Sequence, residues 1–273
     1  MWHNKGLIFN KHHAQLPTCI KVDSIFRIYY STKIDEKSHI RFFDLDETNF
    51  TLIQDCEALS PGYLGELDHA GVMPSCIIEK SNNEKYMYYT GWYLRKDVPY
   101  GHAIFISKIN KDGTLRKIGP VLSSSLYDKY LVNSPFVNYN KKRKFYEMYY
   151  CRGSGWIENF PTYHIAKAIS KDGFNWVPKK EKIITTNQKD EAISRVYVDK
   201  IEKCIYFSYK TKETNYKIYK KTNQGIENLN IDSNDWDNEM QCYPCIYQSL
   251  NKKYLFYNGN GYGSTGIGVA EWI

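Results

Sequence analysis

The chain has 273 residues, of which 42% are hydrophobic and 25% charged, and carries a net charge of +7. This length and balance exclude an intrinsically disordered or collagen-like chain and suffice for a sizeable core. The 37 Lys and Arg against 30 Asp and Glu are spread along the chain without a basic block, so nucleic-acid binding is not expected, while a small anionic ligand stays open.

No run approaches the roughly 18 apolar residues of a membrane span, and the opening MWHNKGLIFNKHH lacks the apolar stretch and small-residue cleavage site of a secretory signal. The expectation is a soluble, cytoplasmic protein without membrane insertion. Cysteines 19, 56, 76, 151, 204, 242 and 245 are an odd number without paired spacing, which fits reduced thiols better than a disulfide framework. With 25 Tyr, 12 Phe and 6 Trp the aromatic share reaches 16%, a composition that suits β-structure and carbohydrate-like ligands.

In chain order, five segments share one pattern: a first strand opened by Pro with alternating apolar residues, a Tyr-rich second strand, then a third strand. The first strands are LPTCIKV from Leu16, MPSCIIE from Met73, SPFVNYN from Ser134, RVYVDKI from Arg195 and YPCIYQS from Tyr243, with Val196 where the others have Pro. The second strands are FRIYYS, YMYYTG, YEMYYC, IYFSYK and YLFYNG, and the third are SHIRFFDL, HAIFISKI, YHIAKAIS, NYKIYKKT and TGIGVAEW. Counted from positions 17, 74, 135, 196 and 244, the units start 57, 61, 61 and 48 residues apart. Each has room for a fourth strand and none holds a convincing amphipathic helix, which is the period of propeller blades. Asp-Gly in NKDGT and SKDGFNW supplies the positive φ that a tight third-to-fourth hairpin needs. The fold expected is all-β, a five-bladed β-propeller forming a single domain over residues 1–273, with GLIF and GIGVAEWI closing the ring in a shared last blade.

In a blade the innermost strand begins beside the axis on one face, and the antiparallel second strand returns to that face. Residues just before first strands and just after second strands therefore meet. Asp68, Glu191 and Glu239 precede first strands, with Gln15 and the pair Asn133 and Ser134 in the other two units. The returning ends supply Trp92, Arg152, Trp156, Asn258, Asn260 and Tyr262. Carboxyl groups beside aromatic planes suit glycosyl chemistry, in which one carboxyl donates a proton and another carboxylate acts as base or nucleophile.

The expected catalytic set is Asp68, Glu191 and Glu239, converging on one pocket. The expected substrate-binding set is His69, Trp92, Ser134, Arg152, Trp156, Arg195, Asn258 and Asn260. The alternative is that each acid caps a loop or pairs with a basic residue. Arg195, four residues beyond Glu191 on an extended strand, either keeps Glu191 ionised or binds an anionic substrate group. The first case leaves Glu239 as proton donor and Asp68 as base or nucleophile; the second gives the acid role to Glu191. Cys242 and Cys245 form C-x-x-C without a second pair or nearby His, and the glycines of NGNGYGSTGIG lack the GK[ST] and following helix of a phosphate loop. Neither a metal nor a cofactor is expected.

The motifs DHAGVMPS, YMYYTGW, SPFV, YEMYYCRGSGW, YHIAKAISKDGFNW, EAISRV, WDNEMQCYP and YLFYNGNGYGSTGIGVA span nearly the whole chain. On them the chain resembles the five-bladed β-propeller glycosidase superfamily shared by glycoside hydrolase families 32, 43, 62, 68, 117 and 130. It is most similar in pattern to a glycosidase-like branch often encoded with bacterial surface-polysaccharide biosynthesis genes. That branch usually carries Arg-Pro and a Tyr-Met-Trp-Tyr strand where this chain has RVYV and CIYFSYK, and the hydrolase families place an essential acid on the first blade, where this chain has Gln15. The resemblance implies carboxylate acid–base catalysis on a bacterial glycan or activated-sugar precursor, with a carbohydrate, sugar phosphate or nucleotide sugar as the small-molecule partner. Two other readings stand beside it: a catalytically silent glycan-binding or scaffolding propeller, and a phosphorylase in which Arg152, Arg195 and His69 hold phosphate.

Overall fold

The computed structural model describes residues 1–80, 84–186 and 191–273. The chain opens with β1 (Trp2–Phe9) and then builds blade 1 from β2 (Gln15–Val22), β3 (Ile25–Ile34), β4 (Lys37–Asp46) and β5 (Leu52–Leu59). Blade 2 consists of β6 (Gly71–Glu79), β7 (Lys85–Leu94), β8 (Tyr100–Ile109) and β9 (Leu115–Leu122), and a single parallel bridge from Ser38 to Gly71 ties it to blade 1. Blade 3 follows with β10 (Val132–Asn140), β11 (Phe145–Ile157), β12 (Phe160–Ser170) and β13 (Val177–Ile184), and blade 4 with β14 (Ala192–Asp199), β15 (Cys204–Lys210), β16 (Lys217–Lys221) and β17 (Ile226–Asn228). Blade 5 takes β18 (Cys242–Gln248), β19 (Lys253–Asn258) and β20 (Ile267–Trp272), and β1 pairs antiparallel on its outer edge. The innermost strands β2, β6, β10, β14 and β18 pack against one another in that order and back to β2, closing the ring. They begin one to three residues ahead of the positions read from the sequence. No helix among the described residues is long and apolar enough to cross a membrane.

The Tyr-rich second strands explain why the blades hold together. Adjacent residues on a strand face opposite sides of its sheet, so each aromatic pair serves two blade interfaces. Tyr29 packs between blades 1 and 2 and Tyr30 between blades 5 and 1; Tyr88 and Tyr89, Tyr206 and Phe207, and Phe256 and Tyr257 repeat the arrangement. One apolar cluster fills each interface. These rings are almost wholly buried, and each contributes roughly 2–3 kcal/mol through the area it removes from water.

A buried phenol still needs a hydrogen-bond partner. Tyr30 donates to Asp55 at 2.9 Å, Tyr89 to Asp68 at 3.2 Å, Tyr150 to Asp128 at 2.8 Å and Tyr257 to Asp237 at 2.8 Å. The corresponding residue of blade 4 is Phe207, which has no hydroxyl and no such acid. The acids are held in turn by Arg41, Lys117, Arg152 and the side-chain amides of Gln241 and Asn4.

A second repeated device links each blade to the next. Every innermost strand carries a β-bulge near its start, and in four of them the bulge residue is left-handed: Leu16, Ser134, Arg195 and Tyr243 have φ between 44° and 60°. Pro follows in three of these strands and lacks the N–H that regular pairing would use, so the ladder breaks there. The residue after each aromatic pair grips the bulge of the following blade. The Leu16 amide donates to Asn258 Oδ1 at 2.8 Å, the Ser134 amide to Thr90 Oγ1 at 2.9 Å and the Tyr243 amide to Ser208 Oγ at 2.7 Å. Ser31 Oγ donates to the Val72 carbonyl at 3.2 Å, and the Cys151 thiol faces the Arg195 amide.

Asn258 is the most heavily engaged of these, because its Nδ2 also donates to the Ala14 and Gly266 carbonyls at 2.7 and 3.1 Å. Asn258→Ala leaves the Leu16 amide and the Ala14 carbonyl without this partner, while the Gly266 carbonyl keeps the Gly259 amide, and is expected to cost about 2–4 kcal/mol in denaturant unfolding. Ser264→Ala, on the exposed surface nearby, should stay within about 0.5 kcal/mol. Equal effects of the two substitutions would contradict the latch.

Candidate functional site

Where the innermost strands begin, the axis opens into a cavity of about 760 Å³. Its floor includes Leu16, Ser134 and Tyr243, so three bulges turn their residues into the opening. Its walls are rich in tyrosine, with Tyr100, Tyr163, Tyr216, Tyr243 and Tyr262. The Tyr100 and Tyr163 hydroxyls share a hydrogen bond, and burial holds both phenols above their ordinary pKa. Phenol rings with fixed hydroxyls offer a sugar both flat apolar faces and hydrogen-bond partners.

Among the described residues, two carboxylates line the cavity, Glu191 and Glu158. Glu191 immediately precedes β14, and its carboxylate is hydrogen-bonded to Tyr209, whose pKa rises to about 12 through burial and that bond. Glu158 sits at the tip of the hairpin between β11 and β12 in a left-handed conformation. Opposite charge comes from Lys210 and Lys212. Lys210 Nζ lies 3.2 Å from the Tyr262 hydroxyl, and 5.0 and 5.8 Å from the ring centres of Tyr216 and Tyr262. Cation–π contacts of this kind place the ammonium group without neutralising it.

His102 forms part of the wall on the blade 2 side, stacked on Tyr100 at 4.9 Å. Asn133 Nδ2 approaches its Nδ1 at 3.1 Å, so Nδ1 accepts and Nε2–H is the donor left for a ligand. Burial lowers its pKa to about 3, which keeps the ring neutral at physiological pH. The neutral ring is placed to orient a hydroxyl through Nε2–H.

Of the residues expected to form the site, the structure brings Glu191 and Ser134 into this cavity and places the others elsewhere. Asp68 is 1% exposed, paired with Lys117 at 2.8 Å and with the Tyr89 hydroxyl. It belongs to the repeated Asp–Tyr set, and its counterpart in blade 5 is Asp237 rather than Glu239. Glu239 is exposed on a turn, where its amide and that of Met240 donate to Asn260 Oδ1. Asn260 is a clamp for that turn, and Asn258 is an inter-blade latch. Arg152 is spent on Asp128 at 2.6 Å, within the same Asp–Tyr arrangement. His69 bonds the Glu66 carbonyl at 2.7 Å, and Trp92 covers Gly71 so closely that a Cβ there would meet the indole. Trp156 packs edge-on behind the cavity wall, 5.3 Å from the Tyr100 ring.

The Arg195 expectation fails for a local reason. The bulge between Ser194 and Val196 breaks the side-chain alternation that would have put Arg195 beside Glu191. Its guanidinium instead crosses under the cavity to the carbonyls of Pro17 at 2.7 Å and Pro74 at 2.8 Å and to Thr18 Oγ1 at 2.7 Å. It is 2% exposed, and among the described residues no carboxylate lies within ion-pair distance. With Arg152, Arg195 and His69 all committed outside the cavity, the phosphate clamp of the phosphorylase reading is not formed by those residues.

The residues that sequence reasoning missed are His102, Glu158, Lys210, Lys212 and most of the tyrosines. One signal for them was available: blade 3 has a long span between its second and third strands, CRGSGWIENFPTYH, and this becomes the overhanging hairpin that carries Glu158.

No family model matches the chain. A curated relative is an uncharacterized protein of Mycobacterium tuberculosis, 28% identical over 98% of both chains. Among solved structures, a glycoside hydrolase superposes with a TM-score of 0.74 at 14% identity, covering 98% of this chain and 91% of its own. A thermostable family-43 glycoside hydrolase gives 0.68 at 14% identity, covering 98% and 90%. The Bombyx mori family-32 β-fructofuranosidase, solved as a mutant with sucrose, gives 0.64 at 14% identity, covering 96% of this chain and 61% of the larger enzyme. The chain has the β-propeller fold of glycoside hydrolases of families 43 and 32.

Proposed function

We propose that this chain is a glycosidase-like carbohydrate-active protein whose site is the axial cavity, and that its ligand is a bacterial glycan or activated-sugar precursor carrying negative charge. The observation that carries the reading is the composition of that cavity: tyrosine walls, a carboxylate at Glu191 and cations at Lys210 and Lys212. The desolvated Arg195 beneath the floor adds positive potential, and among the described residues no carboxylate forms an ion pair with it. Glu191, bonded to Tyr209, serves as the central acid–base group, and Glu158 on the overhanging hairpin supplies the second carboxylate that glycosyl transfer requires.

A second reading, a silent glycan-binding propeller, is favoured by one specific observation. Asp68 and Glu239 lie outside the cavity, so two-carboxylate chemistry depends on Glu158, a residue on a turn. The two readings part on turnover. With a nucleotide sugar or aryl glycoside that the protein cleaves, Glu191→Gln is expected to reduce turnover by roughly a hundredfold or more. Asp68→Asn should instead lower stability by about 2–4 kcal/mol, because it leaves Lys117 without its partner, while the folded fraction turns over normally. If no substrate is cleaved yet Glu191→Gln still weakens sugar binding, the silent module is the better account. Activity lost with Asp68 and kept without Glu191 would contradict both.

The charge preference has its own measurement. Titration calorimetry with glucose 1-phosphate and with glucose compares an anionic and a neutral probe of the same ring. Replacing Lys210 and Lys212 together by Gln should cut the preference for the phosphate ester about tenfold, in line with the loss of charge-assisted hydrogen bonds. An unchanged ratio would remove the lysines from ligand recognition.

A further inference from the structure

The opposite end of the propeller holds a different kind of site. Between blades 3 and 4 the β10–β11 and β14–β15 turns enclose a cleft of about 810 Å³ lined by Lys141, Lys142, Lys200 and Lys203. All four lysines are exposed, and Arg143 and Lys144 continue the first turn. The two turns are joined directly, since Lys200 Nζ donates to the Tyr139 carbonyl at 2.7 Å. Glu147 and Asp199 line the same cleft but are engaged by Lys167 at 2.6 Å and Lys253 at 2.8 Å, and Glu202 in the second turn is engaged by Lys220 at 3.0 Å and by Lys253. Among the described residues, no carboxylate comes within ion-pair distance of any of the four. The KKRK run is already contiguous in the sequence, and folding brings Lys200 and Lys203 of the neighbouring blade beside it.

Exposed apolar side chains share this end of the ring. Ile201, between Lys200 and Lys203, is 75% exposed, and Leu250 on the β18–β19 turn at the same end of the ring is 103% exposed. We propose that this end of the propeller docks on a bilayer containing anionic phospholipid, with headgroup phosphates seated among the four lysines and with Ile201 and Leu250 entering the interface. Charge complementarity selects an anionic surface, and basic clusters of this size are what such surfaces attract. The apolar tips select a bilayer over a soluble polyanion, which has no apolar layer to receive them. The axial cavity, at the other end of the inner strands, then opens away from the lipid.

Co-sedimentation of the full chain with phosphatidylcholine vesicles, with and without phosphatidylserine, tests this directly. Binding is expected only with phosphatidylserine and should weaken as salt is raised. Replacing Lys141 and Lys142 by Gln should weaken it about tenfold or more. Ile201→Ser should weaken vesicle binding severalfold and leave retention on heparin unchanged. Failure of the wild-type chain to bind phosphatidylserine vesicles would overturn the proposal whatever the variants do. Vesicle binding that ignores Ile201→Ser and is matched by heparin would also overturn it, in favour of a soluble polyanion.

Discussion

The structure depends on a grip between neighbouring blades that is made by one side chain in each. The residue after the aromatic pair of a second strand holds the opening of the next blade's innermost strand: Asn258 holds Leu16, Thr90 holds Ser134 and Ser208 holds Tyr243. Because those openings are bulged, their amides would otherwise lie unpaired at the centre of the ring, where the cost of an unmade hydrogen bond is high. The same contacts set where Leu16, Ser134 and Tyr243 stand, and these residues form the floor of the axial cavity. Ring closure and site geometry are therefore one problem with one solution.

Most of the fold was legible because the repeat is carried by burial. Five aromatic pairs, ending 11 to 15 residues beyond positions 17, 74, 135, 196 and 244, mark five second strands, and the interfaces they fill account for most of the aromatic content. The site was far less legible, for the same reason. A repeat places structural acids at a fixed phase as readily as catalytic ones, and Asp68, Asp128 and Asp237 share that phase because Tyr89, Tyr150 and Tyr257 each bury a hydroxyl. The acid at Glu191 differs in kind. Its blade has Phe207 in place of tyrosine, so the acid is not tied to a phenol at that position; Glu191 instead bonds Tyr209, two residues further on, and lines the cavity.

Local backbone conformation accounts for the remaining differences. Arg195 was placed beside Glu191 by strict alternation along an extended strand, and one left-handed residue sends it across the axis to the carbonyls of blades 1 and 2. An arginine at the bulge position is specific to blade 4, the blade that also lacks the Pro of the other four first strands. Its guanidinium leaves a buried positive charge under a cavity that also holds Lys210 and Lys212. Blade 4 is thus where the repeat is least regular and where the candidate chemistry is concentrated.

The central claim is that the axial cavity, with Glu191 as its working carboxylate, is where a charged sugar binds. A crystal structure with a nucleotide sugar bound tests it most directly. The account predicts a sugar ring against Tyr216, Tyr243 and Tyr262, the phosphate groups toward Lys210 and Lys212, and a Glu191 oxygen within about 2.6–3.2 Å of the glycosidic oxygen or a sugar hydroxyl. A sugar bound beside Asp68 or Glu239, with the axial cavity empty, would contradict it.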